Sequence, residues 1–464
     1  MTKQVVEPSH ADSIAAGGSN AIGGPIGRFK SGRTWWNPLR VLVALSAFIY
    51  AFGYFLDLSC RSTGWVSPDN YEHLCYSDIP PLFSFRGFAD GFLPYLQTAP
   101  GQTPLEYPVL TGVFMQIAAM ITRVITGIMP QAPASTVFFD VNVILLFIPL
   151  VIAVIATALT VRRRPWDAAM FALAPGVLFA ATINWDLLPL AFAGVALLLW
   201  SRNRPFAAGL LLGLAVAAKF YPVLFLGAFL VLTIRSGKWR PLVALVGGTV
   251  LTWLMVNLPF MVGNFDGWAF FYTFSQNRGQ DFGSLWFALA EFELPTVPSD
   301  KLNTVATGCF LVLCIAIAIL ALRAKQRPRL AQLLFLIIAA FAVTNKVYSP
   351  QYVLWLIPLA VMARPRWRDF IIWQVGELIY FVAVWWFLVG YGNEGVKGLT
   401  QQWYATAIIV HIAATVFFAV MVIRDIVKPE NDPIRNDGFA EDSDDPGGGP
   451  YDRAADVFTF NRAG

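Results

Sequence analysis

The sequence predicts an all-α, polytopic membrane protein: a bundle of about twelve transmembrane helices with a long first outer loop. Hydrophobic residues make up 57% of the 464 residues and charged residues only 13%, whereas a soluble globular chain is about 45–50% apolar and about 25% charged. Apolar segments close to the roughly 20-residue length of a spanning helix recur along the chain. This composition excludes a disordered protein, a nucleic-acid binder and an ordinary cytosolic enzyme.

The two ends of the chain are more polar than its body. Residues 1–35 are rich in Gly and Ser, and residues 428–464, which we call the tail, carry nine acidic and four basic residues. The tail has few aliphatic residues, so it cannot bury enough apolar surface to fold alone. We therefore predict a disordered cytoplasmic N-terminus over 1–35, a membrane domain over 36–427 and an acidic, disordered cytoplasmic tail over 428–464.

Clusters of Lys and Arg divide the membrane domain. They fall at 28–40, 162–164, 202–204, 235–240, 323–329, 364–368 and 424–428. Cytoplasmic loops collect basic residues, so placing all seven clusters in the cytoplasm pairs the apolar segments into six outward excursions with both termini inside. The twelve crossings are 40–58, 136–161, 166–181, 184–201, 206–219, 222–235, 240–262, 303–322, 329–344, 350–363, 369–390 and 402–424.

One apolar segment, 108–128, is left over from this pairing. If it crossed the membrane fully, the basic cluster at 162–164 would lie outside. The segment is therefore a re-entrant or surface-lying helix, or else the pairing of segments differs at this point.

Two long loops lie on the predicted outer side, at 59–107 and 263–302. Long loops on a rigid scaffold commonly carry function, and the aromatic and Pro residues in these loops argue against disorder. Cys60 and Cys75 both lie in the first loop, where the exterior compartment permits a disulfide. Such a bridge would close a short loop just before Asp78 and contribute about 3 kcal/mol in the loop-entropy model.

Three ionisable residues on the predicted outer side stand between apolar stretches: Asp186, Lys219 and Lys346. Charges near the ends of membrane helices are costly unless they are paired or functional. A single such residue can snorkel to the interface, but three of them beside aromatic and Pro residues favour one outward-facing cavity. The sequence contains no phosphate-binding Gly-Lys-Ser/Thr loop, no dinucleotide fingerprint and no His/Cys spacing that suits zinc.

Nucleotide-activated substrates are scarce outside a cell, so the membrane would have to deliver an activated donor as a lipid-linked phosphate. A leaving phosphate needs positive charge around it, which Lys219, Arg278 and Lys346 could supply. A hydroxyl acceptor needs one well-placed carboxylate as a base, because a phosphate leaves without a strong general acid. Composition and topology thus allow an extracytoplasmic transferase that uses a lipid-phosphate donor.

Short motifs follow one another in a distinctive order. They are Asp78 soon after the first helix, Gly91-Phe92-Leu93-Pro94-Tyr95, Tyr107-Pro108, Asn184-Trp185-Asp186, Ala208-Gly209 with Lys219 and Pro222, and Ser349-Pro350-Gln351-Tyr352. In this order and placement the sequence resembles glycosyltransferase family 87 over about residues 75–425. It departs from the family at Tyr107-Pro108-Val109, where members commonly carry Tyr-Pro-Pro.

The resemblance implies a GT-C-like fold and makes 36–427 a membrane glycosyltransferase domain. The better-known members are actinobacterial α-1,2-mannosyltransferases that use polyprenyl-phosphate mannose. The implied location is the plasma membrane, with the active site on the extracytoplasmic side. Asp78 matches the family's catalytic base, although Asp69 in the same loop is a rival. No metal and no cofactor are implied, since the lipid-phosphate donor is a co-substrate.

The resemblance also implies an inverting transfer of a sugar, most simply α-linked mannose, to a cell-envelope glycolipid or glycan. Lys219, Arg278 and Lys346 are the candidates for binding the donor phosphate. The candidates for binding sugars are Glu106, Tyr107, Trp185, Asp186, Tyr348 and Tyr352. An interfacial belt is the alternative explanation for the aromatic members of this set.

Two other functions remain open on the sequence. A GT-C arabinosyltransferase with a polyprenyl-phosphate arabinose donor would need the same outer cavity and cations. A lipid or sugar transporter or flippase would show internal repeats and broken helices. The break at Phe220-Tyr221-Pro222 fits such a transporter loosely, but no matching break is found in another half of the chain.

Overall fold

The computed structural model describes residues 12–21, 37–161, 163–390, 398–436 and 443–460. Within these ranges all regular structure is helical, without a β-strand. Seven helices are long and apolar enough, by length and composition, to cross a membrane, and five further apolar helices have 10–17 residues. The architecture confirms the predicted all-α polytopic membrane protein with a long first outer loop.

We number the apolar helices of the described residues in chain order. They are α1 (Pro38–Thr63), α2 (Val109–Ile128), α3 (Ala134–Thr160), α4 (Leu187–Ser201), α5 (Pro205–Ala218), α6 (Tyr221–Ser236), α7 (Trp239–Gly263), α8 (Ser299–Arg323), α9 (Leu330–Thr344), α10 (Pro350–Ala363), α11 (Trp367–Gly390) and α12 (Gln401–Val427). The five short ones are α4, α5, α6, α9 and α10. Their length is roughly 21–24 Å at 1.5 Å per residue, less than the ~30 Å hydrocarbon core of a bilayer.

Local sequence signals set the ends of α1. The Asn37 side chain accepts a hydrogen bond from the backbone N–H of Arg40, and Pro38 occupies the first helical position, where its missing N–H costs nothing. The helix ends at Gly64, whose φ of 77° lies in the left-handed region that a glycine adopts without strain. These signals place Cys60 and Arg61 at the point where the long first loop begins.

Basic residues from several predicted cytoplasmic clusters meet at one end of the bundle, which we call the basic end. Arg235 lies at the end of α6, Arg329 just before α9 and Arg364 just after α10. The other end, the loop end, carries the first outer loop and the junction where α5 stops at Ala218. The clustering agrees with the predicted pairing of segments. Which end faces the cytoplasm stays a prediction.

The predicted crossing at 166–181 is not a continuous helix. It runs through the short helices Pro165–Ala168, Ala169–Ala172 and Pro175–Ala180. Pro175 lacks an N–H and holds Ala174 in an extended conformation, which breaks the helix at that point. No residue of this described segment is exposed, and irregular backbone is tolerated at membrane depth when protein surrounds it.

Helix α2, the segment left over from the topology prediction, keeps both ends at the loop end. The Thr111 hydroxyl donates to the carbonyl of Ala218 at 2.6 Å, and the Arg123 guanidinium donates to the carbonyl of Phe88, in the first outer loop, at 2.9 Å. Apolar side chains are exposed along one side of the helix, for example Val124. These contacts favour the surface-lying alternative over a full crossing.

The prediction of a disordered tail is wrong for the residues that the structure describes, 428–436 and 443–460. Tyr451 is fully buried, packs against Trp200 and shares a 2.8 Å hydrogen bond with Thr233. Composition predicted disorder because the tail has few aliphatic residues of its own. Its partners are instead side chains of the bundle, which a count within the tail cannot detect.

Acidic residues of the tail pair with arginines at the basic end. Asp432 accepts from Arg329 at 2.7 Å, and both side chains are at most 1% exposed. Asp456 bridges Arg235 and Arg327 at 2.7 and 3.0 Å. These acidic side chains of the tail therefore pair with arginines of the bundle instead of facing only solvent.

The N-terminal prediction is also partly wrong, because Ser13–Ala21 forms a helix. Asp12, just before it, accepts a hydrogen bond from the backbone N–H of Trp367 at 2.9 Å. The other residues of the predicted disordered ends, 1–11, 22–35, 437–442 and 461–464, lie outside the described ranges.

Candidate active site

The segment around Asp78 is fastened by a disulfide just before it and by hydrogen bonds to the bundle. Cys60 and Cys75 form a disulfide, with 5.9 Å between their Cα atoms. The Ser77 hydroxyl donates to the carbonyl of Thr182 at 2.7 Å, and the backbone N–H of Asp78 donates to the carbonyl of Ile183 at 2.8 Å. The carboxylate of Asp78 is therefore held at a fixed place between the first loop and the start of α4.

Two tyrosine hydroxyls donate to the Asp78 carboxylate. Tyr76 donates to Oδ1 at 2.8 Å and Tyr107 to Oδ2 at 3.1 Å. Burial raises the pKa of Asp78 above its ordinary value, while the two hydroxyls and the charge of Lys219 act in the opposite direction. A carboxylate with a raised pKa is a stronger base than an exposed aspartate.

Lys219 and Asp186 form an ion pair beside this carboxylate. The Nζ–Oδ1 distance is 2.8 Å. Lys219 follows the last residue of α5 in an extended conformation, and Asp186 immediately precedes α4, where the Asn184 side chain accepts its backbone N–H at 2.9 Å. The Trp355 indole donates to the other oxygen of Asp186 at 3.1 Å.

Aromatic rings surround the ammonium group of Lys219. It lies 5.1 Å from the ring centre of Tyr107 and 5.9 Å from that of Trp355. Tyr352 stacks on Trp355 with 3.7 Å between the ring centres. Tyr107 thus contacts both the carboxylate of Asp78 and the cation, so it joins the two halves of the site.

Arg278 contributes a second cation from the other long outer loop. It pairs with Asp281 at 2.7 Å, and Asp281 also accepts from the hydroxyl of Ser349 at 2.8 Å. The Arg278 side chain is 42% exposed. Its charge acts on the pKa of Tyr76, which the charge of Asp78 and then burial raise well above the ordinary value and which Arg278 lowers in part. Arg278 therefore lies within electrostatic reach of the carboxylate.

Lys346 does not present its ammonium group to the same space. The ammonium donates to the backbone carbonyls of Gln276, at 2.9 Å, and of Arg278. Burial lowers its pKa, and the charge of Arg278 lowers it further. These contacts make Lys346 a fastener of the loop that carries Arg278, rather than a group that meets the donor directly.

The remaining sugar-binding candidates divide into two groups. Trp185 and Tyr348 are each 1% exposed, and their polar atoms bond to protein: Trp185 to Asn142 and Tyr348 to Thr415. Tyr107 and Tyr352 are partly exposed and border the cation. The first two therefore support the site from behind, and the last two are available to a ligand.

Glu106 lies beside Tyr107 but is turned towards Arg86. The two form a bidentate pair, at 2.6 Å to Oε2 and 2.8 Å to Oε1. The charge of Glu106 contributes to the raised pKa of Asp78. Its carboxylate is thus occupied by the outer loop and acts on the base through space.

Within the described part of the chain, no group of three or more His, Cys, Asp or Glu side chains could hold a metal ion. The expectation that the protein uses no metal and no cofactor stays a prediction.

Comparison with known proteins identifies the family. Residues 107–344, about half of the chain, match the sequence profile of glycosyltransferase family 87. The chain belongs to glycosyltransferase family 87. This confirms the resemblance inferred from the motifs.

Family 87 membership is accompanied by distant similarity to named proteins. GPI mannosyltransferase 1 of Kluyveromyces lactis is 26% identical over 207 residues, covering 41% of this chain and 50% of that protein. The protein of the same name from Eremothecium gossypii is 26% identical over 206 residues, covering 42% and 52%. This chain therefore spans about half the length of these curated relatives. The crystal structure of ArnT from Cupriavidus metallidurans bound to undecaprenyl phosphate has 15% sequence identity and a TM-score of 0.41, over 83% of this chain and 77% of that one.

The family 87 match covers only part of the site. Tyr107, Asp186, Lys219 and Arg278 fall within it, whereas Asp78 precedes it. The role of Asp78 therefore depends on the motifs of the first loop and on the geometry.

Sequence reasoning assigned no role to several residues that hold the candidate site together. They are Tyr76, Asp281, Ser349 and Trp355. Tyr76 stands two residues before Asp78, and Asp281 stands three residues after Arg278. Their closeness in sequence to a candidate residue could have indicated that they belong to the site. Trp355 lies one helical turn after Tyr352, and nothing in its local sequence distinguishes it from a residue of an interfacial belt.

Proposed function

We propose that the protein is an inverting glycosyltransferase that moves mannose from a polyprenyl-phosphate donor to a glycolipid or glycan of the cell envelope. The observation that carries the proposal is the carboxylate of Asp78, held by two tyrosine hydroxyls beside two cations, Lys219 and Arg278. Membership of family 87 supports glycosyl transfer. Mannose is favoured because both curated relatives are mannosyltransferases.

Asp78 acts as the base in the proposed reaction. Its carboxylate takes the proton of the acceptor hydroxyl as that oxygen forms a bond to the anomeric carbon of the donor. The bond between the anomeric carbon and the phosphate oxygen breaks, and its electron pair leaves with the polyprenyl phosphate. Attack from the opposite face converts a β-linked donor into an α-glycoside. Burial favours this role because it raises the basicity of the carboxylate.

Lys219 and Arg278 stabilise the phosphate as it gains charge. Fixed cations in a site from which water is partly excluded stabilise a developing anion without reorganisation. Asp186 keeps Lys219 in place before the donor arrives, and Lys346 holds the loop of Arg278. We place the reaction on the extracytoplasmic face of the plasma membrane, with both termini in the cytoplasm, because the site lies at the end of the bundle opposite to the basic clusters.

The test is transfer by the purified full-length protein in nanodiscs. Polyprenyl-phosphate mannose and polyprenyl-phosphate arabinose are supplied separately with a mannose-terminated glycolipid, and the labelled product is digested with an α-mannosidase. We expect transfer from the mannose donor and an α-mannosidase-sensitive product. Transfer from the arabinose donor alone would replace mannose by arabinose. Movement of the donor across the membrane of proteoliposomes that contain the protein, without transfer, would establish a flippase instead.

A further inference from the structure

Three aromatic rings lie together beside the proposed base, and the reaction described above uses only one of their groups, the Tyr76 hydroxyl that donates to Asp78. Tyr71 and Tyr76 stack with 5.7 Å between ring centres, Tyr76 and Trp385 with 4.6 Å, and Tyr71 and Trp385 with 6.1 Å. The interplanar angles are 14°, 27° and 13°, so the three rings are nearly parallel. We call this group the aromatic platform.

The platform is assembled from two distant parts of the chain. Tyr71 lies on the short helix Asp69–Glu72, within the loop that the disulfide closes, and Tyr76 follows that disulfide directly. Trp385 lies on α11 and is 4% exposed, whereas both tyrosines are partly exposed. A buried indole thus supports two rings that a ligand can reach.

The platform adjoins the carboxylate of Asp78. The Tyr76 hydroxyl donates to its Oδ1 at 2.8 Å. Burial and then the charge of Asp78 raise the pKa of Tyr71, so this second ring also lies within electrostatic reach of the base. The other carboxylate oxygen, Oδ2, accepts from Tyr107, whose ring contacts Lys219. Asp78 therefore stands between the platform on one side and the Lys219–Asp186 pair on the other.

Chemistry separates these two sides. The phosphate of the donor needs cations, and the Lys219 side supplies one. Arg278, the second cation, lies within electrostatic reach of Tyr352 on that side and also of Tyr76. The platform consists of uncharged rings with hydroxyl groups at their edges, and the negative face of an aromatic ring attracts the weakly positive C–H groups on the face of a pyranose. In addition, the Trp385 indole N–H is buried and has no hydrogen-bond partner among the described residues, an arrangement that a bound hydroxyl or water would relieve.

We propose that Tyr71 and Tyr76, supported by Trp385, bind the acceptor sugar, a hexopyranose whose attacking hydroxyl is thereby presented to Asp78. This inference rests on the proposed function and assigns the acceptor subsite of the same site. The sugar stacks on the exposed rings of the two tyrosines, and the donor approaches from the side of Lys219.

The test separates acceptor binding from donor binding. The full-length protein in nanodiscs is assayed with polyprenyl-phosphate mannose as donor and octyl α-mannopyranoside as acceptor. For Tyr71→Ala we expect an acceptor KM about tenfold higher and a donor KM within twofold of wild type. The substitution removes one ring that stacks on the acceptor and leaves the cations that bind the donor unchanged. Tyr71→Phe, which keeps the ring, should restore the acceptor KM to within threefold.

Tyr54→Ala is the matched control. Tyr54 is another partly exposed tyrosine at the loop end, and its hydroxyl donates to Asp140 rather than to the platform. We expect both KM values of this variant to stay within twofold of wild type. An acceptor KM that is unchanged in Tyr71→Ala, or a donor KM that rises as much as the acceptor KM, would overturn the assignment.

A binding measurement distinguishes failure of this inference from failure of the proposed function. Equilibrium binding of radiolabelled octyl α-mannopyranoside, without donor, should weaken about tenfold in Tyr71→Ala and not in Tyr54→Ala. If the wild-type protein transfers no sugar but binds the acceptor about tenfold more tightly than Tyr71→Ala does, the proposed reaction is wrong and the sugar site is supported. If wild type transfers mannose and Tyr71→Ala binds the acceptor normally, the platform assignment alone is wrong.

Discussion

The ammonium group of Lys219 lies 2.8 Å from the carboxylate of Asp186. The pair joins the end of α5 to the beginning of α4, and Asp186 is 1% exposed while Lys219 is 18% exposed. The cation therefore keeps a path to a ligand while its partner is enclosed. This geometry makes Lys219 a group that can exchange part of its pairing with Asp186 for a phosphate.

Lys219→Ala should raise the KM for the donor by about tenfold or more, with a smaller effect on the acceptor, because it removes a cation from the phosphate side of the site. It should also lower the melting temperature, since it leaves a buried carboxylate without its charged partner. Adding Asp186→Ala to the variant should recover stability but not donor affinity. Equal losses for donor and acceptor would indicate a purely structural role.

Asp78→Asn should lower kcat by a factor on the order of 10³, the range for loss of a general base. The amide oxygen can still accept a hydrogen bond from a tyrosine, so the melting temperature in detergent should change little. Asp69→Asn, which alters the rival carboxylate in the same loop, should retain wild-type turnover within about threefold. Wild-type turnover in Asp78→Asn would remove Asp78 from the mechanism.

The pH dependence of kcat/KM should reflect the environment of Asp78. Burial raises its pKa, so activity should fall as the pH drops through a value above that of an ordinary aspartate, because the base must be ionised. Tyr76 and Tyr107 stabilise the charged form. Changing either to Phe should therefore move the acid limb to higher pH, whereas Tyr54→Phe should leave it in place. An acid limb that stays unmoved in both variants would contradict Asp78 as the titrating group.

Arg329→Gln should destabilise the protein by about 3–5 kcal/mol, as expected when one partner of a buried ion pair is removed. Arg329 and Asp432 are both enclosed at the basic end, far along the helices from Asp78. Glu430→Gln alters an exposed acidic residue of the tail and should change the melting temperature by less than about 1 °C. If the two variants melt together, the packed tail contributes nothing to stability.

Patterns of neighbouring residues predicted the apolar helices, the grouping of basic clusters and the meeting of Asp78, Lys219 and Asp186. Each of these features follows from hydrophobicity along the chain or from motifs a few residues long. The ordered tail was not predictable in the same way, because the partners of Asp432 and Tyr451 lie more than 100 residues away. Residue counts within a short segment cannot detect ion pairs and packing contacts with distant parts of the chain.

Side-chain direction accounts for the other differences. Lys346 was predicted to bind the donor phosphate, but its ammonium group donates to backbone carbonyls instead. No pattern of residue types along the chain specifies that direction. Tyr348 keeps its ring 6.2 Å from that of Tyr352 between ring centres, but it is buried, and its hydroxyl shares a hydrogen bond with Thr415 rather than facing a ligand.

The packed tail bears on how the chain is made. Asp432 is synthesised 103 residues after Arg329, the arginine that it neutralises, and Tyr451 follows its partner Thr233 by 218 residues. Until these tail residues emerge from the ribosome, Arg235, Arg327 and Arg329 lack the tail carboxylates with which they pair. Insertion of the helices thus precedes completion of the bundle. A reporter protein or affinity label placed inside the tail would be expected to interfere with assembly even though it lies far from the chemistry.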